Sequence, residues 1–231
     1  MEILLTAAIV PTIVLICWIY ARDKVEKEPI GLLVKIFILG ALSTITAVIF
    51  GTILDEVGYS LFEHDTSIGF ILFDNFIATA LVEEWGKRFA MKIGSWKNKN
   101  FNCSFDAIVY AVCAALGFAT LENILYVLDS DLTVAVVRGI LSVPGHVVDA
   151  IFMGAYYGLA KEADLKGDRR KRNHYLRMSL LIPTLTHGFY DFCLSVDSEA
   201  LLVAFLIFEV VITIVVIRKV RKLSREDHSL V

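Results

Sequence analysis

Seven apolar stretches, each close to the length of a membrane span, recur along the chain and are separated by short polar connections. A transmembrane helix needs about 20 predominantly apolar residues. The stretches cover residues 3–20, 31–51, 68–91, 104–128, 132–160, 176–194 and 200–217. The pattern predicts an all-α, polytopic bundle of about seven transmembrane helices that forms a single integral-membrane domain over residues 1–231.

Lysine and arginine alternate between the two ends of the predicted bundle. The connections after the second, fourth and sixth stretches contain neither residue, whereas those after the first, third, fifth and seventh are basic. The basic segments are 21–29, 92–100, 161–172 and 218–226. Because basic connections stay in the cytoplasm, we expect the N-terminus outside and the C-terminus in the cytoplasm. Arg138, early in the fifth stretch, violates the pattern and is therefore a candidate for the functional site.

The composition limits where the function can lie. The chain of 231 residues is 57% hydrophobic and has a mean hydropathy of +0.67, against about 45–50% apolar residues in a soluble domain. No segment is left for a soluble domain, so we expect the activity inside the bundle. Nucleic-acid binding is excluded because no folded basic domain is present. The cysteines have no CxxC spacing, which makes a structural zinc site improbable.

The third stretch, NFIATALVEEWGKRFAMKIG, contains charged side chains that are costly in lipid. Each charge at the centre of a bilayer costs roughly 2.5–3.5 kcal/mol even on lenient scales. Glu83 and Lys87 are four residues apart and Glu84 and Lys87 three apart, so one ammonium can pair with either carboxylate on a helix. Adjacent carboxylates at this depth indicate a functional site.

Three later stretches also contain polar residues. They are Glu122, four residues after Phe118, with the adjacent Asn123, then His146 and Asp149 three residues apart, and finally His187 and Asp191 four residues apart. A set of this size on four successive helices predicts a shared polar cavity. We expect Glu83 and Glu84 to lie at the same depth in the membrane as these residues if the third helix continues toward Trp96.

Two kinds of chemistry are consistent with these residues. Carboxylates and imidazoles around water can supply a general base, a proton for a leaving amine and donors to an oxyanion. Alternatively, Glu83, Glu122, His146 and His187 could hold zinc, although neither HExxH nor HxxEH occurs. A proton- or ion-coupled transporter is the main alternative from another class, since intramembrane acids also build proton relays. No inverted repeat supports it.

Four motifs together resemble the PrsW family of intramembrane proteases, relatives of the CAAX-processing and bacteriocin-processing membrane proteases. The motifs are EEWGK (83–87), GFATLEN (117–123), PGHVVDA (144–150) and HGFYD (187–191). RDKVEKEP (22–29) is similar to the first loop of that family. The resemblance extends over about residues 20–192, in the same order.

The resemblance implies an intramembrane endopeptidase with its catalytic core at about residues 68–194. The implied catalytic residues are Glu83, Glu84, Glu122, His146 and His187, and the implied supporting residues are Lys87, Asn123, Asp149, Asp191 and Arg138. We expect a glutamate-activated water and no cofactor, with zinc as the alternative. The implied setting is the lipid of a prokaryotic plasma membrane. The implied substrate is a single-pass membrane protein such as an anti-sigma factor, cut at site 1.

Overall fold

The structure is a computed structural model, and it describes residues 2–62, 64–128 and 132–230. Within these ranges the chain folds into seven helical segments, numbered in chain order. They are α1 (Glu2–Arg22), α2 (Ile30–Leu61), α3 (68–95), α4 (Asp106–Leu128), α5 (132–165), α6 (Arg169–Ser195) and α7 (Glu199–Arg225). The predicted all-α membrane bundle is confirmed, and each predicted apolar stretch lies within or overlaps one segment.

Two of the segments are irregular. Helix α3 consists of an α-helical start (Ile68–Phe73), a π-helical middle (Asp74–Leu81) and an α-helical end (Val82–Ser95). Helix α5 is divided at Leu141 into α5a (Leu132–Ile140) and α5b (Ser142–Leu165). Pro144 lies in the first turn of α5b, where its missing N–H costs no helical hydrogen bond.

In the described ranges, four helical regions are long and apolar enough to cross a membrane. They are Ile30–Leu61, Asp106–Tyr126, Val136–Leu165 and Glu199–Arg225. Large apolar side chains cover one side of α7 and are exposed, as lipid contact requires. These side chains are Leu202, Val203, Leu206, Ile207, Val210 and Val211.

Helix α4 is the centre of the bundle. It packs against α1, α2 and α5, and several of its side chains are fully buried. Glycine permits the closest approach: a Cβ on Gly117 would lie 2.0 Å from the carbonyl oxygen of Phe37 on α2. Without a hydrophobic driving force between helices in lipid, small residues allow the close packing that holds the helices together. The α4 side chains with no exposed surface include Val109, Tyr110, Ala111, Val112, Ala114 and Leu116.

At the end of the bundle that contains the basic connections, the last residues of the chain bind the loop before α4. The amide of Leu230 donates to the carbonyl of Asn102 over 2.6 Å, and the amide of Ser104 donates to the carbonyl of His228 over 3.0 Å. Asp227 accepts a hydrogen bond from the amide of Phe105 over 2.9 Å. The C-terminal segment is therefore part of the fold rather than a free tail.

The carboxylate of Asp23 is buried beside this junction and is expected to destabilise the protein at neutral pH. Burial raises the pKa of Asp23 to about 6, which Lys27 partly offsets and Asp227 reinforces. An acid with a raised pKa binds its proton more tightly in the folded state. The protonated carboxyl group therefore favours the folded state at low pH. This advantage is lost as the pH rises from 3.8 to about 6, and it does not return above that pH.

We therefore expect Asp23→Asn to raise the melting temperature of the detergent-solubilised protein well above pH 6 and to change it little near pH 4. A gain of about 2–4 °C corresponds to roughly 1 kcal/mol in a protein of this size. The exposed Asp197 provides the matched control, Asp197→Asn. Equal effects of the Asp23 substitution at both pH values would contradict the burial argument.

Candidate active site

The π-helical middle of α3 ends directly before the two adjacent glutamates. A π-helical segment changes the register of the side chains that follow it, and such segments are frequent at functional sites. Asn75 in this segment donates to the carbonyl of Ile71 over 2.8 Å and accepts from the hydroxyl of Ser195 over 2.9 Å. The segment is thereby tied to the end of α6. Helix α3 then continues to Ser95, as the predicted depth of Glu83 and Glu84 requires.

Lys87 pairs with both glutamates, as their spacing in the sequence predicts. Its Nζ lies 2.7 Å from Oε1 of Glu84 and 3.2 Å from Oε2 of Glu83. Lys87 and Glu84 are 1% and 0% exposed, whereas Glu83 is 12% exposed. The ammonium also lies 4.3 Å from the ring centre of Phe118. Neighbouring residues of the same helix thus differ in access: Glu84 is enclosed and Glu83 reaches the surface of a cavity.

Carboxylates flank both ring nitrogens of His187. Its Nδ1 lies 2.9 Å from Oε1 of Glu84, and its Nε2 lies 3.2 Å from Oδ2 of Asp191. The same Nε2 lies 3.8 Å from Oε2 of Glu83. Because an ionised carboxylate only accepts hydrogen bonds, this arrangement favours a proton on each ring nitrogen. His187 therefore places Nε2 near two carboxylates, with Asp191 closer than Glu83.

The partners of His146 determine its tautomer. Its Nδ1 lies 3.0 Å from Nζ of Lys87, and its Nε2 lies 3.0 Å from Oε2 of Glu122. An ammonium has three donors and no acceptor, so Nδ1 has to accept the hydrogen bond. The proton of the neutral ring is consequently on Nε2, where it is donated to Glu122. His146 thereby connects Lys87 to Glu122 and holds the Glu122 carboxylate in place.

Arg138, which breaks the alternation of the basic connections, has a carboxylate partner in the site. Its Nη2 donates to Oε2 of Glu122 and its Nε donates to Oδ1 of Asn123, both over 2.8 Å. The guanidinium carbon lies 3.9 Å from the ring centre of Tyr126. Helix α5a thus contributes a cation that fixes Glu122 from the side opposite Lys87.

These residues surround one cavity of about 470 Å³. All ten residues singled out in the sequence lie at or immediately behind its wall. Glu84, Lys87 and Asn123 lie behind the wall, fully or almost fully buried. Those that line it are Glu83, Glu122, Arg138, His146, Asp149, His187 and Asp191.

The structure adds polar residues that the sequence analysis missed. Thr79 precedes Glu83 by four residues, Tyr126 follows Glu122 by four and Tyr190 follows His187 by three, so helical spacing was the available signal. Thr186 lies behind the cavity and donates to Oδ1 of Asp149. Asn75 and Ser195 also line the cavity, but only the fold brings them together.

Two groups of side chains have the composition of a metal site. Glu84, His146, Asp149 and His187 offer ligand atoms within 4.8 Å of one another, and so do Glu83, Glu122 and His146. The alternative set that the sequence suggested, Glu83, Glu122, His146 and His187, combines members of both. Zinc requires ligand nitrogens at about 2.0–2.1 Å and carries two positive charges of its own.

Cationic side chains of the protein itself already bind the possible metal ligands of both groups. In the first, the Lys87 ammonium contacts both Glu84 and His146. In the second, Glu122 accepts from Arg138 while His146 directs its protonated Nε2 to the same oxygen. A zinc ion would have to displace an ammonium in the first group and a proton in the second. In this arrangement the residues do not fit a bound zinc ion.

Comparison with known proteins shows the family of the chain. The family described as "PrsW family intramembrane metalloprotease" matches residues 28–218. The chain belongs to the PrsW family. "Protease PrsW" of Clostridioides difficile (strain 630) is 31% identical over 226 residues, covering 96% of this chain and 91% of the relative. "Protease PrsW" of Bacillus subtilis (strain 168) is 32% identical over 197 residues, covering 85% and 84%.

Family membership identifies the chain as a multi-pass membrane peptidase of a prokaryote. It favours the peptidase over the transporter that the sequence left open. No solved structure matches the chain significantly. The description of the family as metalloproteases disagrees with the arrangement of Lys87 and His146 described above.

Proposed function

We propose that the chain hydrolyses a peptide bond of a membrane-anchored protein with a water molecule activated by Glu83, without a metal ion. The observation that carries the proposal is the difference between the two adjacent glutamates. Glu83 lines the cavity, whereas Glu84 is fully enclosed behind it. A general base has to lie within hydrogen-bond reach of the proton it removes.

Glu84 is proposed as a positioning residue. Its Oε1 binds Lys87 over 2.7 Å and His187 over 2.9 Å, so a single oxygen orients both side chains. Lys87 in turn fixes the tautomer of His146. One buried carboxylate therefore holds a cation and two imidazoles in the orientations that the reaction requires.

The proposed reaction conserves protons without an external acid. Glu83 takes a proton from water as the water oxygen bonds to the carbonyl carbon of the substrate. His187 Nε2, 3.8 Å from Oε2 of Glu83, is close enough for both groups to contact that water. The protonated Glu83 then transfers its proton to the amide nitrogen as the carbon–nitrogen bond breaks. The products are an amine and a carboxylic acid, and transfer of the proton of the acid to the amine leaves a carboxylate and an ammonium.

Arg138 is the proposed donor to the oxyanion. It lines the cavity, and Glu122 and Asn123 hold its guanidinium in place, whereas the single N–H of His146 is donated to Glu122 and positions that carboxylate. Removing one preorganised oxyanion donor typically costs about 10²–10³ in kcat. Asp149 and Asp191 are proposed to support the site by binding Thr186 and His187.

The position of the site suggests the class of substrate. Glu122 lies in the last two turns of α4, and His146 lies in the first turns of α5b. The site is therefore in the half of the bundle away from the basic connections, which is the outer half in the predicted orientation. We propose a single-pass protein embedded in membrane lipid, such as an anti-sigma factor that is cut at site 1.

The proposal is tested by expressing the chain with a panel of tagged single-pass membrane proteins, anti-sigma factors among them. The wild type is expected to shorten at least one, and Glu83→Gln is expected to leave it intact. The exposed Glu56 gives the control, Glu56→Gln, which is expected to cleave like the wild type. Cleavage by Glu83→Gln at the wild-type rate would refute the assigned role, and no cleavage of any panel member by the wild type would refute the substrate class.

A further inference from the structure

A second, smaller cavity adjoins the first and shares four residues with it. The second cavity has a volume of about 270 Å³. Thr79 and Glu83 on α3 and Glu122 and Tyr126 on α4 line both cavities. Each pair is one helical turn apart, so the pairs face each other across the gap between α3 and α4. The two cavities are the two sides of this gap.

The walls of the two cavities differ in chemistry. The first contains most of the charged residues of the site, whereas beyond the shared residues the second is lined by apolar or small ones. The one further polar residue, Thr44, donates its hydroxyl to the carbonyl of Phe118 over 3.2 Å, so its hydrogen-bonding capacity is used inside the fold. The residues that line only the second cavity are Thr44, Ala47, Val48, Gly51, Ala78, Phe118 and Leu125.

We propose that the second cavity binds the apolar side chain of the substrate residue next to the scissile bond. This inference rests on the proposed peptidase function. A peptide bond within a helix has its carbonyl hydrogen-bonded, so a substrate has to be extended where it is cut. In an extended chain, successive side chains point to opposite sides. With the scissile carbonyl at Glu83, one flanking side chain enters the charged cavity and its neighbour enters the apolar one.

Small residues determine the size of the proposed subsite. Ala47 and Ala78 are 7% and 1% exposed and form its floor. A Cβ on Gly51 would lie 3.5 Å from the carbonyl oxygen of Ala78, which is ordinary contact, so a larger side chain at this position would extend into the cavity without a backbone clash. The volume is below the range of about 300–1,000 Å³ typical of sites for drug-sized ligands and suits a single side chain.

The test uses a substrate that the wild type cleaves, with the scissile bond located by mass spectrometry. The flanking residues are replaced in turn by Ala and by Leu, and kcat/KM is measured for each form. The wild type is expected to prefer Leu at one flanking position. Gly51→Leu is expected to reduce the Leu-to-Ala preference by about tenfold or more, within the range that small changes in an apolar pocket produce. Ala47→Val provides a second, smaller filling of the same space.

The control is Ile49→Phe, which enlarges a side chain of the same helix that is 53% exposed and does not line the cavity. It is expected to retain the wild-type preference. The inference is overturned if Gly51→Leu and Ala47→Val leave the preference unchanged, or if they reduce cleavage of the Leu and Ala substrates equally. Either result leaves the proposed peptidase intact, whereas failure of the wild type to cleave any member of the panel would refute the proposed substrate class.

Discussion

Glu83→Gln is expected to lower the cleavage rate by about 10²–10⁴-fold, the contribution of a well-placed general base. The amide retains the size of the side chain and its contact with Lys87 but cannot take a proton from water. The measurement is the rate for a cleaved substrate as a function of pH. Protonation of a catalytic base makes the rate decline at acidic pH, and the residual activity of Glu83→Gln is expected to lack this decline. Glu83→Asp is expected to cleave more slowly than the wild type but to keep the decline.

Glu84→Gln distinguishes a positioning residue from the base. It disturbs the hydrogen bonds to Lys87 and His187 without removing the carboxylate that reaches the cavity. We expect slower cleavage that still declines at acidic pH. If Glu84→Gln lost this decline and Glu83→Gln retained it, the roles of the two residues would be reversed.

Lys87→Met is expected to cause the largest loss of stability among the single substitutions considered. The change leaves Glu84, which is fully buried, without its ammonium partner at 2.7 Å. Removing one partner of a buried ion pair typically costs about 3–5 kcal/mol, because the remaining charge is uncompensated. The measurement is the melting temperature in detergent and the yield of folded protein.

Two further variants separate the loss of the buried ion pair from the effect of replacing any lysine. Lys92 lies on the same helix and is exposed, so Lys92→Met is expected to unfold like the wild type. The double substitution Glu84→Gln with Lys87→Met also removes the buried charge and is expected to recover part of the stability while remaining inactive. A Lys87→Met variant as stable as Lys92→Met would contradict the buried-pair account.

Much of the fold could be predicted from local pattern. Apolar stretches of span length predicted the seven helical segments, because lipid requires every backbone polar group to be satisfied inside a helix. The pairs of Lys87 with Glu83 and Glu84 also followed from spacing, since residues three and four apart are neighbours on a helix. Arg138 was singled out because it breaks the alternation of the basic connections, and it pairs with Glu122.

Contacts between distant segments could not be derived in this way. Lys87 and His146 are 59 residues apart, so their contact depends on α4 and α6, which pack against both α3 and α5 and bring them together. The π-helical turn at Asp74–Leu81 has no clear sequence signal, yet it precedes the two glutamates and affects which of them faces the cavity. The attachment of residues 226–230 to the loop before α4 likewise depends on the complete fold.

Lys87 also connects the local and distant parts of the site. Its three hydrogen-bonding partners lie on two helices: the ammonium pairs with two carboxylates and fixes the tautomer of one imidazole. A cation supplied by the chain thus occupies the position that a metal ion would need in the group around Glu84. This arrangement is the physical basis for proposing a glutamate-type peptidase in a family described as metalloproteases.

The most direct test of this claim is the cleavage rate of the purified protein before and after exhaustive treatment with a strong chelator, with bound zinc measured in the same samples. The account predicts an unchanged rate and much less than one zinc ion per chain. Loss of cleavage on chelation, restored by added zinc, would contradict it and would require Lys87 to leave its position between Glu84 and His146.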